Sequence, residues 1–333
     1  MQELDALKGF LSSPKKIVIT THASPDADAL GSSLGLYHFL HNRGHEVKVI
    51  TPTAYPEFLC WMEGNDEVLV NSEDTFGAVK DYFDQADLIC CLDFSGLNRI
   101  KNLGELVAKS KGKKLLVDHH LNPEHFADFE LWNNKSAATA ELIYDLILML
   151  DGKDEITVGI AECLYAGIMT DTGSFKHNST SSKIHRTVAS LIDIGADINK
   201  VSRNIYDNNS VNRLRFIGYA LAERLQVETE KHIAYFVITA EDHEQFNLKS
   251  GDTEGLVNYA LSIKGINIAA IIMERDDEVK MSFRSVGDYA VNDFAAEHFD
   301  GGGHKNAAGG HSELSLEETV EKFKKLISTF QDH

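Results

Sequence analysis

Thiols, positive charge and long apolar runs are all in short supply here. The four cysteines of this 333-residue chain, Cys60, Cys90, Cys91 and Cys163, include no C-x-x-C pair. That argues against a disulfide framework and a thiolate zinc site. The apolar surroundings of all four predict buried free thiols in a reducing compartment. Lys and Arg number 32 against 51 Asp and Glu, a formal net charge of −19. Such a surface is unsuited to gripping long duplex nucleic acid through its phosphates. A small anionic substrate is compatible with it, because bound cations reverse the sign of the field locally. No run reaches the length needed to span a bilayer; the densest, Leu142 to Leu150, is interrupted by Asp145 and reads as a buried helix. The first residues, Met1-Gln2-Glu3-Leu4-Asp5, lack the basic and apolar regions of a secretory signal. The expectation is a cytoplasmic protein without a membrane partner. Internal repeats and low-complexity tracts are absent as well.

What is present is an ordinary globular composition, 43% hydrophobic and 25% charged, over a length that predicts two domains. Ile17 to Thr21, Val47 to Thr51, Glu67 to Val70, Leu88 to Leu92 and Leu115 to Val117 read as strands, with helices at about 3–12, 30–42 and 104–111. Strands alternating with helices predict an α/β fold with a mostly parallel sheet. Helices follow at 137–150 and 156–170, then several in succession over 181–228. A new pattern begins near 232: a strand to Thr239, a helix from Leu256 to Ile263, a hairpin around Arg275 to Glu278, and helices at Val291–Phe299 and Leu316–Phe330. This predicts a catalytic domain at 1–190, a helical connector at 191–228 and a smaller α/β domain at 229–333.

Three of the strands end in acid or imidazole: Thr21 before His22, Leu92 before Asp93, Val117 before Asp118-His119-His120. In a parallel sheet those ends share one edge, where ligands of open α/β sheets bind. Adding Asp26, Asp28 and Asp171 collects carboxylates and imidazoles from four distant segments. Taken singly, His22 and Asp28 read as turn and helix caps and Asp171 as a helix end. Taken together they make an oxygen-rich ligand set with some imidazole and no thiolate, suited to Mn²⁺ or Mg²⁺. The carboxylates would repel one another unless cations balanced them. Two metals about 3.5–4 Å apart clamp the oxygens of an in-line phosphoester displacement. The Asp26-Ala27-Asp28 spacing, read as an extended turn, would let the two carboxylates lean toward different metals.

H-x-x-x-D-x-D after a first strand, a lone Asp after a later one, D-H-H after the next and D-T-G after a helix resemble, in that order, the DHH phosphoesterase family. Gly301-Gly302-Gly303-His304 resembles its DHHA1 subtype. The resemblance implies His22, Asp26 and Asp93 on one metal, and Asp28, Asp93, His119 and Asp171 on the other, with Asp93 bridging. It implies that His120 faces the substrate, leaving Asp118 to orient an imidazole. It also implies an active site in a cleft between the two domains.

The glycine run lets backbone approach a ligand. Lys305 to Ala308 after it reads as a short helix whose N-terminus would attract an anion. Arg284, at a strand end, offers a planar fork for phosphate; a surface ion pair with the acidic hairpin turn is its other reading. The resemblance implies that Arg284 and the GGGH stretch hold the nucleotide end of a substrate. Arg99 is a phosphate contact or part of helix-start packing, and Ser136 and Thr139 read as helix caps. The activity implied is two-metal hydrolysis of short oligoribonucleotides (nano-RNA), of the 3′-phosphate of 3′-phosphoadenosine 5′-phosphate (pAp), or of both, with Mn²⁺ preferred over Mg²⁺. Cleavage of cyclic or linear dinucleotides such as c-di-AMP and pApA is the alternative. Single-strand exonuclease, inorganic pyrophosphatase and non-catalytic nucleotide binding rank lower. The oligomeric state is left open, a homodimer included.

Overall fold

Leu88-Ile89-Cys90-Cys91-Leu92 is buried at every position, as a strand must be when helices cover both faces of a parallel sheet. Leu88, Cys90 and Leu92 point into one core, Ile89 and Cys91 into another. The strand lies in the first of two compact units, Met1–Asn208 and Asn209–His333. The structure is a computed structural model that describes residues 1–333 apart from residues 2, 178, 250, 276–277 and 331–333.

The first unit runs α1 (Leu4–Phe10), β1 (Lys16–Thr21), α2 (Ala27–Asn42), β2 (Glu46–Thr51), β3 (Val68–Val70), α3 (Phe76–Gln85), β4 (Leu88–Leu92), α4 (Leu103–Lys109), β5 (Lys113–Asp118), β6 (Phe129–Trp132), α5 (Thr139–Met149), α6 (Val158–Asp171), α7 (Ser182–Ile194) and α8 (Ile198–Tyr206). Its sheet has the order β3-β2-β1-β4-β5-β6, with all neighbours parallel. Helices α2, α5 and α6 bring Leu30, Leu34, Ile143 and Leu164 to one face. Helices α3 and α4 bring Val79, Phe83 and Val107 to the other. Because β1, β4 and β5 are adjacent, His22, Asp93 and Asp118-His119-His120 emerge along one edge of the sheet.

Helix α2 begins earlier than the hydrophobic pattern suggests. Asp26 is its N-cap, accepting from Asp28 N and Ala29 N at 3.0 Å each. Asp28 therefore stands in the first helical turn, and the Asp26-Ala27-Asp28 stretch is a helix start where an extended turn was expected. Strand β6 and helix α3 were not anticipated; at four residues β6 is too short for its alternation to stand out. Cys90, Cys91 and Cys163 are buried as expected, whereas Cys60 is exposed beyond a 3₁₀ turn.

Close approach of α2 to α6 depends on glycine. A Cβ on Gly31 would overlap the backbone carbonyl oxygen of Cys163, which cannot move aside as a side chain can. Gly9, on the exposed side of α1, has nothing within 4 Å of that position. Opposite signs are therefore expected in urea unfolding of the first unit. Gly9→Ala should stabilise by about 1 kcal/mol through helix propensity. Gly31→Ala should destabilise by about 1–3 kcal/mol through overpacking, in spite of the same propensity gain. A rise in midpoint for Gly31→Ala would contradict the close packing.

The second unit runs α9 (Val211–Tyr219), β7 (Leu225–Glu228), β8 (Ile233–Ile238), α10 (Ala240–Phe246), α11 (Leu256–Leu261), β9 (Ile268–Arg275), β10 (Glu278–Ser285), α12 (Val291–His298), β11 (Gly302–His304), β12 (Ala307–Ser312) and α13 (Leu316–Phe330). Its sheet has the order β11-β12-β10-β9-β8-β7. Among the described residues only the β8–β9 pair is parallel. Phe294, Phe323 and Ile327 fill one face, Phe216, Leu256 and Ala260 the other.

Residues 191–228 are divided between the units. Leu191, Val201 and Ile205 pack in the first core, Phe216 in the second, and residues 225–228 are strand β7 where a helix was expected. Residues 276–277, at the tip of the expected β9–β10 hairpin, lie outside the described residues. Lys305 to Ala308 do not form a helix. Residues 305–306 turn between β11 and β12, so the glycine run is one arm of a hairpin and no helix N-terminus follows it. Gly303 has φ +141°, and a Cβ there would meet the Ala307 carbonyl oxygen at 2.5 Å, so this glycine is required by the hairpin itself.

Candidate active site

The edge shared by β1, β4 and β5 gathers its titratable groups into two sets that meet at Asp93. Asp93 is buried at the end of β4 with φ +66°, a left-handed turn that Asp tolerates better than most residues. Its Oδ2 stands 3.5 Å from His22 Nε2, and that nitrogen is 3.9 Å from Asp26 Oδ2. Its Oδ1 stands 3.4 Å from His119 Nε2, which is also 3.3 Å from Asp171 Oδ2 and 3.8 Å from Asp28 Oδ2. One atom from each of His22, Asp26 and Asp93 lies within 4.8 Å of the others, and the same holds for Asp28, His119 and Asp171.

Local structure aims each group. The loop after β1 is tied down by Ala23 N donating to Arg99 O (2.9 Å) and Ser24 N to Thr53 Oγ1 (2.7 Å). The first of these bonds places the exposed Arg99 beside the His22 loop. His22 Nδ1 is 2.9 Å from Ala23 O, and His119 Nδ1 is 3.3 Å from Ser136 O, which directs both Nε2 atoms toward Asp93. His120 is held through its Nδ1, 2.8 Å from Asp118 Oδ1 and 3.7 Å from Asp93 Oδ1, and the Trp132 indole donates to its carbonyl at 2.6 Å. Asp171 closes α6, and His177 Nδ1 is 3.0 Å from its carbonyl oxygen.

The electrostatics call for positive charge. Burial, then the charge of Asp93, pushes the Asp28 carboxyl well above the usual range. Burial, then Asp28, does the same to Asp171. For the imidazoles burial acts downward but loses. Asp93 and Asp26 push His22 up to about 9, and Asp93, Asp171 and Asp28 push His119 up to about 11. Burial would raise Asp93 too, but the His119 and His22 rings hold it well below its ordinary value. Carboxyls that hold on to protons and imidazoles that gain them both mark an excess of negative charge here, which divalent cations can balance. The donor set fits: carboxylate and imidazole without thiolate suits Mn²⁺ or Mg²⁺. Donor atoms at about 2.1 Å from a cation sit roughly 3–3.5 Å from one another around it, close to the 3.3–3.9 Å found between these nitrogens and oxygens.

The chain matches the model of the DHH family, N-terminal domain, over residues 16–168 and that of the DHHA1 domain over residues 229–332. It belongs to the DHH family of phosphoesterases, DHHA1 subtype. Among solved structures it is similar to an exopolyphosphatase-related protein from Bacteroides fragilis, with 38% identity and a TM-score of 0.94 over 99% of this chain and 97% of that one. It is 28% identical to the bifunctional oligoribonuclease and PAP phosphatase NrnA of Thermus thermophilus over 93% of this chain and 89% of the relative. It is also 28% identical to the NrnA of Bacillus subtilis over 88% of each. An exonuclease RecJ bound to manganese shares the fold at 13% identity and a TM-score of 0.54, covering 98% of this chain and 94% of that one. Among the described residues no helix is long and apolar enough to cross a membrane.

In the DHHA1 unit, Arg284 of β10 pairs in register with Ala307 of β12, and Ala307 pairs with His304 of β11. Paired residues of neighbouring strands share a face, so Arg284 and His304 stand on one row of one face, roughly 10 Å apart across two strand spacings. Arg284 Nη1 donates to Phe283 O at 2.9 Å. Thr139 is not the cap it was read as: Ala138 holds the N-cap position of α5 and Thr139 is its first helical residue. Its hydroxyl donates to Asp93 Oδ1 at 2.8 Å, a contact between residues 46 positions apart that no local pattern announces.

Proposed function

We propose that the chain hydrolyses phosphoesters of short nucleotides, taking nano-RNA, the 3′-phosphate of pAp, or both, with two divalent cations held by the His22–Asp26–Asp93 and Asp28–Asp93–His119–Asp171 sets. The position of Asp93 carries the reading: a single buried carboxylate presents one oxygen to each set. Bound cations would supply Lewis-acid activation of the phosphoryl group and of the attacking water. The remaining work falls to the chain. Asp118 fixes the ring of His120 by accepting from Nδ1, which leaves the opposite nitrogen to hold a proton for the departing oxygen. In the second unit Arg284 and His304, with the Gly301-Gly302-Gly303 backbone, hold a further phosphate or base, while Arg99 beside the His22 loop contacts phosphate. The names of the relatives and the acidic, thiol-poor composition support short nucleotides as substrates and the cytoplasm as the place of action.

Product analysis tests this. The purified chain is incubated with pAp, pApA and a five-nucleotide RNA, with Mn²⁺ and with Mg²⁺. AMP from pAp and mononucleotides from the RNA are expected, faster with Mn²⁺. Exclusive turnover of pApA would move the assignment to a dinucleotide phosphodiesterase, and turnover of pyrophosphate in preference to pAp would overturn it.

A further inference from the structure

Helix α5 starts without a cap of its own. Its N-cap position is Ala138, which has no side-chain acceptor to offer, yet the first amides of a helix need partners. Asp28 supplies them from α2. Its Oδ2 accepts from Thr139 N at 2.7 Å and its Oδ1 from Ala140 N at 2.8 Å. Two residues earlier Ala137 N is taken by Glu141 Oε2 at 2.9 Å. The approach is possible because α6 has Gly167 opposite: a Cβ there would lie 2.6 Å from Asp28 Oδ1 and 2.8 Å from the Ala140 methyl. Three helices therefore converge on one carboxylate.

Thr139 adds a second grip. It is fully buried, and while its amide holds Asp28 Oδ2 its hydroxyl holds Asp93 Oδ1 at 2.8 Å. An ionised carboxylate only accepts, so the hydroxyl must donate. The two oxygens gripped are the ones that face His119 Nε2. The oxygen of Asp93 that faces His22 is Oδ2, which Thr139 does not hold. A residue that binds both oxygens fixes their spacing before any cation arrives.

We propose that Thr139 is a positioning residue for the His119-side metal: its hydroxyl and amide together set Asp93 Oδ1 and Asp28 Oδ2 as a preformed pair of ligand oxygens. The inference rests on the two-metal reading above and deepens it. The amide is present whatever the side chain, so substitution isolates the hydroxyl. Valine keeps the volume and shape without the donor, serine keeps the donor without the methyl, and alanine removes both without adding bulk.

The test is a calorimetric titration of the full-length, metal-stripped chain with Mn²⁺ alone. Wild type is expected to show two sites. Thr139→Val should weaken one of them by about 10–100-fold, the range for groups that orient a ligand, and leave the other unchanged. Thr139→Ala carries the same expectation, so a valine variant that fails to fold still leaves a decisive measurement. Thr139→Ser should restore wild-type affinity. Unchanged affinity at both sites, or equal weakening of both with no rescue by serine, would overturn the positioning role, since a general loosening has no reason to choose one site. If wild type itself takes up no Mn²⁺, the two-metal reading fails, and that result is distinguishable because it appears before any substitution is made.

Discussion

Asp93→Asn should lower turnover of pAp by about a thousandfold, equivalent to about 4 kcal/mol of transition-state stabilisation. Asparagine is the informative replacement for two reasons. It adopts the left-handed backbone of this position, φ +66°, with little strain, which alanine does not. It also keeps an oxygen for the Thr139 hydroxyl, so the local fold is preserved and charge is what changes. That charge is what the buried His22 and His119 rings converge on, through opposite oxygens of one group. An amide offers one neutral oxygen where the carboxylate offers two charged ones, so it cannot serve both sets at once. Steady-state rates across a range of Mn²⁺ concentrations check the result. Wild-type turnover would remove Asp93 from the centre of the mechanism, and recovery at high Mn²⁺ would reduce its part to metal affinity.

The adjacent histidines should separate binding from chemistry. His119→Ala is expected to lower Mn²⁺ affinity at one site by two orders of magnitude or more, about 3 kcal/mol. It removes the ring that stands between Asp28, Asp93 and Asp171 and leaves three buried or half-buried carboxylates facing one another. His120→Ala should leave Mn²⁺ affinity within a few-fold of wild type and cut kcat by about 10²–10⁴, the range for a positioned general acid. Its Nδ1 is engaged by Asp118 at 2.8 Å, nearer than Asp93 Oδ1 at 3.7 Å, so the ring is held by a neighbour outside the metal sets. Calorimetry with Mn²⁺ and kcat on pAp, measured on both variants, decide the matter. The reverse pattern would exchange the two roles.

Much of the first unit was legible because its strands are apolar on both faces and end abruptly in acid or imidazole. The step from Leu92 to Asp93, or from Val117 to Asp118, is a change of environment written into adjacent residues. The resemblance to a known family, carried by the same strand ends, supplied the expected division of ligands between two metals; spacing alone left that open. Other features resisted. The stretch Gly301 to Ala308 has a composition that fits a loop, a helix start or a hairpin, and its pairing with β10, where Ala307 meets Arg284 well upstream, selects the hairpin. Residues 225–228 continue a helical-looking segment, but antiparallel pairing with β8 claims them. Asp28 presented itself as a cap for its own helix. Asp26 has that task, and Asp28 caps α5, 111 residues downstream, a relation that exists only once three helices have packed.

That last relation means the empty space at Gly167 belongs to two systems at once. A hydrogen atom on a helix in the hydrophobic core is also the wall behind Asp28 Oδ1. The distance between helices α5 and α6 and the position of a carboxylate oxygen are thus a single variable. The interior of the first unit is therefore not a neutral scaffold beneath the candidate active site, because its helix spacing reaches that site as a displacement of a carboxylate oxygen.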